Sequence, residues 1–104
     1  MRVLVIDKHA SRHERLRETV EAVIEDADVR IVLGLKDLNS DIEEFQILMI
    51  HVGNSTDYSI IFRSKPIKDI IYYTGQYEVI NVDKDGVWAP YEQLEKALKT
   101  LLNL

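Results

Sequence analysis

Two apolar runs of the same kind set the limits on this fold. Val3-Leu4-Val5-Ile6 closes on Asp7, and 44 residues later (51 − 7) Ile47-Leu48-Met49-Ile50 closes on His51. Each run is short, continuous and aliphatic, which is the pattern of a strand buried on both faces. Strands of that kind belong to open parallel sheets, whose sites form in the crevice outside the carboxyl ends of the strands. Asp7 and His51 are therefore the first candidate site residues.

The intervening segments complete the alternation of strands and helices. Ser11-Arg12-His13-Glu14 has the spacing of a capping box, and Leu16, Val20, Val23, Ile24 and Ala27 follow as one apolar helical stripe. A second strand is expected at Val29 to Leu33, stopped by Gly34. Leu35, Leu38, Ile42 and Phe45 suggest a short, broken helix, with a second cap at Ser40-Asp41-Ile42-Glu43. Gln46 to Val52 is the third strand. The order β-α-β-α-β implies a parallel sheet with right-handed crossovers.

Past residue 52 the pattern loosens. A short helix is expected at 56–67 and a strand at Ile70 to Thr74. A further strand at Tyr77 to Val82 follows after only Gly75-Gln76. A parallel crossover takes a dozen or more residues, so this short link predicts an antiparallel hairpin over 70–82. The final helix starts near Pro90 and buries Leu94, Ala97, Leu98, Leu101 and Leu102.

Composition narrows the function classes. A chain of 104 residues builds one core, so a single domain spans 1–104. Its net charge of −5 disfavours a broad grip on nucleic acid. Arg12, Arg15 and Arg17 alternate with Glu14, Glu18 and Glu21 as a solvated helix face. With no cysteine, disulfides and thiolate chemistry are excluded. No apolar run approaches the ~20 residues of a membrane helix, and no cleaved-signal pattern opens the chain, so a cytoplasmic protein without membrane contact is expected.

The order of elements, opened by Val3-Leu4-Val5-Ile6-Asp7-Lys8-His9, resembles the receiver domain of two-component response regulators, and so does the separation of Asp7 from His51. The resemblance implies an α/β, three-layer, flavodoxin-like fold. Receiver chemistry needs two acids for magnesium, an aspartate acceptor, a Ser/Thr hydroxyl and a lysine. Asp7 matches the first acid and Thr74 the hydroxyl. Lys8 stands at the second acid and His51 at the acceptor. Lys84 matches the lysine by local pattern, but an antiparallel 77–82 strand would carry it to the opposite edge. The aromatic position of the fifth strand would fall on Asn81. The resemblance is thus to a degenerate, pseudo-receiver member with a shortened second half.

Loss of the fourth helix would uncover a sheet face, unless the last helix or the Val87-Trp88-Ala89 loop folds over it. Ile71, Tyr72, Tyr73, Tyr77 and Trp88 are then the expected interaction surface, because tyrosine and tryptophan anchor interfaces well. The functional expectation is a non-enzymatic, cofactor-free pseudo-receiver. It would work independently of phosphorylation by binding a protein partner in trans, or a second copy of itself. The alternative is a small-anion or metal module at the carboxyl edge. Asp7, His9, His13 and His51 are its candidate metal ligands, and His51, Asn54, Ser55 and the neighbouring His9 its anion contacts. A Ser55-His51-Asp7 hydrolytic set lacks a nucleophile motif around Ser55.

Overall fold

The computed structural model describes residues 1–39, 41–53, 67 and 69–104. Along the chain run β1 (Arg2–Ile6), a 3-10 turn (Ala10–Arg12), α1 (His13–Val23) and β2 (Asp28–Val32). Two further 3-10 turns (Leu35–Asp37 and Ile42–Glu44) lead to β3 (Ile47–His51). After these come β4 (Asp69–Thr74), β5 (Asn81–Asp83), β6 (Gly86–Pro90), a 3-10 turn (Tyr91–Gln93) and α2 (Leu94–Leu101).

The strands form one sheet in the order β2-β1-β3-β4-β6-β5. All neighbours are parallel except β5 and β6, so the fold is α/β with a parallel core and an antiparallel edge pair, compatible with a flavodoxin-like architecture. The chain places β2 on one side of β1 and β3 on the other. That reversal is the switch point at which open α/β sheets leave a crevice.

Period-two alternation divides the apolar runs between two cores. Val3, Val5, Ile47, Met49, Ile71, Tyr73, Val87 and Ala89 face one side. There Leu16, Val20 and Ile24 of the α1 region and Leu94, Ala97 and Leu98 of α2 cover them. Leu4, Ile6, Leu48, Ile50, Ile70 and Tyr72 face the other side with Val32, Phe45, Val52 and Ile67. Leu35, Leu38, Ile42, Tyr77 and Trp88 pack against that second cluster. The expected helix between β2 and β3 is instead the pair of 3-10 turns, and all four of its apolar residues (Leu35, Leu38, Ile42 and Phe45) pack on this face without a continuous helix.

The antiparallel edge hairpin is not the one expected at 70–82. β5 does run opposite to β4, but β6 inserts between them, pairing in parallel with β4 and antiparallel with β5. The hairpin therefore lies at 81–90. Its turn is fixed by Asp83, whose Oδ1 accepts the Asp85 and Gly86 amides at 2.8 and 3.2 Å. Gly86 has φ +144°, and a Cβ there would meet the Ile70 carbonyl oxygen at 2.3 Å, so only glycine fits.

Three expected interface residues also need correction. Ile71, Tyr72 and Tyr73 are buried, because α1 and α2 cover one sheet face and Trp88 stacks on Tyr72 at 4.0 Å on the other. Trp88 and Tyr77 are half-buried and stay partly accessible. The capping box at Ser11 does not form. α1 starts from Arg12 with no side-chain cap, and Ser11 lies in the preceding 3-10 turn. The expected helix at 56–67 (apart from Ile67), the Ser40 cap, and Asn54 and Ser55 lie outside the described residues.

Candidate functional site at the carboxyl edge

Because β1, β3 and β4 are parallel, their final residues meet at one edge. Asp7 follows β1 directly, and its amide continues the ladder by donating to the Val32 carbonyl at 3.0 Å. His51 ends β3 in register with Tyr73 of β4. Asp7, His51 and Thr74 thus come together as expected, and Asp7 is 1% exposed.

The Asp7 carboxylate is held on both oxygens. Oδ1 accepts the His9 backbone N–H at 2.8 Å and lies 3.1 Å from His9 Nδ1. Oδ2 accepts the Tyr73 hydroxyl at 2.8 Å, a bond that reaches across β3. Arg12 Nη1 stands 3.6 Å from Oδ2, while its guanidinium lies 4.9 Å above the Tyr91 ring. That nitrogen is buried with no hydrogen-bond partner among the described residues. His13 Nε2 is 2.7 Å from the Asp7 carbonyl oxygen, which accepts only from N–H, so this nitrogen carries a proton.

The electrostatics follow from these contacts. Burial acts most strongly on Asp7 and opposes its charge. The His9 amide, the Tyr73 hydroxyl, the His9 ring and His51 together overcome that, and the carboxyl falls below its ordinary pKa. Burial likewise dominates at His51 and lowers its pKa. The Asp7 charge opposes this, while Arg12, His9 and Lys8 add to it, so the neutral ring is favoured. Tyr73 is pushed far up, by burial first and then by the adjacent carboxylate.

His9 and His51 meet edge to face with centroids 5.2 Å apart, and His51 meets Tyr73 at 5.6 Å. A pocket of about 270 Å³ opens over them, lined among others by His9, Arg12, His51, Thr74 and Gln76. Thr74 Oγ1 accepts the Gln76 amide at 3.4 Å. Asp7, His9 and His51 each offer a ligand atom, all within 4.8 Å of one another. His13 is not in that group, since its ring is turned to the Asp7 backbone.

Lys84 is not part of the site. It lies in the turn before β6, at the amino edge of the parallel strands, opposite Asp7 and His51. The fifth parallel strand is β6, so its aromatic residue is Trp88, and Asn81 lies on the antiparallel edge strand instead.

Two residues that complete the site, Tyr73 and Arg12, were not expected from sequence. Tyr73 carried a signal: once β3 and β4 are parallel, alternation puts it beside His51. Arg12 carried none, because it sits in a charged run that reads as a solvated face. Comparison of the chain with protein-family models, with curated proteins and with solved structures found no match.

Proposed function

We propose that this chain is a non-enzymatic, receiver-like interaction module. It binds a protein partner in trans, or a second copy of itself, and works without aspartyl phosphorylation. The observation that carries this reading is the state of Asp7. Its two oxygens are committed to His9 and Tyr73, with Arg12 alongside. A receiver would need a second acid and an acceptor aspartate at this edge, and the chain has Lys8 and His51 there. Two cationic side chains and a neutral imidazole make a poor seat for magnesium, which prefers hard oxygen ligands.

The partner surface in this reading is the β5 edge. Among the described residues β5 is the outer strand of the sheet; Val79 is 70% exposed in a concavity with Tyr77 and Trp88, and Val82 is 58% exposed on the opposite face, paired with Val87. An edge strand flanked by exposed apolar and aromatic side chains is suited to pairing with another chain. A cytoplasmic setting fits the absence of cysteine, and no helix among the described residues is long and apolar enough to cross a membrane.

Incubation with acetyl phosphate and magnesium, followed by intact mass, tests the phosphorylation half. An unchanged mass is expected, and a stable adduct of one phosphoryl group overturns it. Sedimentation at micromolar concentration, with a Val82→Glu variant, tests self-association through β5. If a dimer forms, that variant is expected to be monomeric. A dimer it does not disrupt rules out β5 as the self-association edge.

A further inference from the structure

We infer that Asp7, His9 and His51 form a binding site for one late first-row divalent ion, with zinc the best fit. This goes beyond the proposed function, since a chain that takes up no phosphoryl group can bind zinc or fail to bind it. Three observations converge on the site.

The first is spacing. Ligands 2.0–2.1 Å from a tetrahedral zinc ion stand about 3.3 Å from one another. His9 Nδ1 and Asp7 Oδ1 are already 3.1 Å apart, and the ligand atoms of all three residues lie within 4.8 Å. Two imidazoles on one such ion have ring centroids roughly 5.2 Å apart, from the same bond lengths and the size of the ring. The His9 and His51 centroids are 5.2 Å apart, with the rings at 82°. Closing the site therefore takes side-chain rotation and leaves the strands in place.

The second is support around the ligands. Metal-bound carboxylates and imidazoles are fixed by outer hydrogen bonds. The Tyr73 hydroxyl holds Asp7 Oδ2 at 2.8 Å, which aims Oδ1 at His9. His13 Nε2–H holds the Asp7 carbonyl at 2.7 Å and so braces the end of β1. His13 is thus a positioning residue and not a fourth ligand.

The third is chemistry. One carboxylate and two imidazoles are a nitrogen-rich set suited to zinc, cobalt or nickel, and poorly suited to magnesium. On binding, the ion replaces the proton on His9 Nδ1. That proton passes to solvent while Nε2 takes one up, so the neutral ring changes tautomer with no net release of a proton. The pocket of about 270 Å³ leaves a fourth position open to water or a small oxyanion, with Arg12 and Thr74 on its wall. Arg12 and Lys8 place positive charge near His51, which opposes a cation and weakens its binding.

The test is titration of EDTA-stripped, refolded-state-checked protein with zinc chloride by calorimetry, and with cobalt chloride by visible absorption. One equivalent of zinc is expected to bind, and cobalt is expected to show the intense ligand-field bands of a four-coordinate site. His9→Ala and His51→Ala should each weaken zinc at least tenfold with unchanged circular dichroism. His13→Gln should weaken it less than threefold, and millimolar magnesium should not compete. The inference is overturned if zinc fails to bind, if the His9→Ala/His51→Ala double variant binds as tightly as wild type, or if His13→Gln loses as much affinity as the ligand variants.

Discussion

Replacing Tyr73 with phenylalanine removes one oxygen from a buried hydrogen bond to Asp7 and leaves the ring in place. The side chain is fully buried, and its hydroxyl donates to Asp7 Oδ2 at 2.8 Å. A hydrogen bond to a charged acceptor contributes about 1.5–3 kcal/mol, and a buried carboxylate oxygen left short of a donor adds to the loss. Arg12, now 3.6 Å away, can recover part of it. The expected cost is therefore about 2 kcal/mol. With a urea slope of about 1–1.5 kcal/mol/M for so small a chain, the midpoint falls by roughly 1–2 M at unchanged slope. Trp88, the single tryptophan, stacks on Tyr72 and reports the transition by fluorescence, with circular dichroism as the second probe. A cycle with Asp7→Asn isolates the charge-assisted part, expected at about 1 kcal/mol of coupling. A Tyr73→Phe cost below ~0.5 kcal/mol, or strict additivity in the cycle, would refute the view that β4 reaches across β3 to hold β1.

Four other perturbations test β6 and the carboxyl edge. Gly86→Ala forces a side chain into a left-handed backbone and against the Ile70 carbonyl, and should cost at least ~2 kcal/mol in the same urea assay. Trp88→Ala strips the cover from Tyr72, and a loss of about 2 kcal/mol is expected by thermal or urea melting followed by circular dichroism. In EDTA, stability should fall as pH drops below about 6.5, the ordinary histidine value, because folded His51 takes up a proton less readily than the unfolded chain. His51→Gln should flatten that limb. Asp7 acts lower still: its stabilisation is complete above 3.8 and is lost as pH falls through its depressed folded value, so Asp7→Asn flattens the acid end.

The parallel core was legible because its signals are local and redundant. The first four strands lie within a residue or two of their apolar runs, and α2 follows its leucine stripe. The edge was not. Gly75-Gln76 is short enough for a hairpin, and nothing nearby shows that a later strand will insert beside β4. β6 is a five-residue strand opening on Gly86 and ending in Pro90, preceded by Asp83-Lys84-Asp85. In sequence that reads as a loop, although the Asp-to-Gly spacing is the turn that directs it. The stacking of Trp88 on Tyr72 follows from the same insertion, while Ile71 and Tyr73 lie under the two helices. At the site, Asp7, His51 and Thr74 were legible as strand ends. The Tyr73 contact needs the β3–β4 register as well as alternation, and the Arg12 contact depends on the path after β1, which no periodicity encodes.

The ends of β1, β3 and β4 carry one constellation of side chains. Nuclear Overhauser contacts in isotope-labelled protein examine it with least inference. The structure predicts cross-peaks between the His9 and His51 imidazole protons and between the His51 and Tyr73 rings. Assigned spectra in which His51 instead contacts neither ring would contradict it.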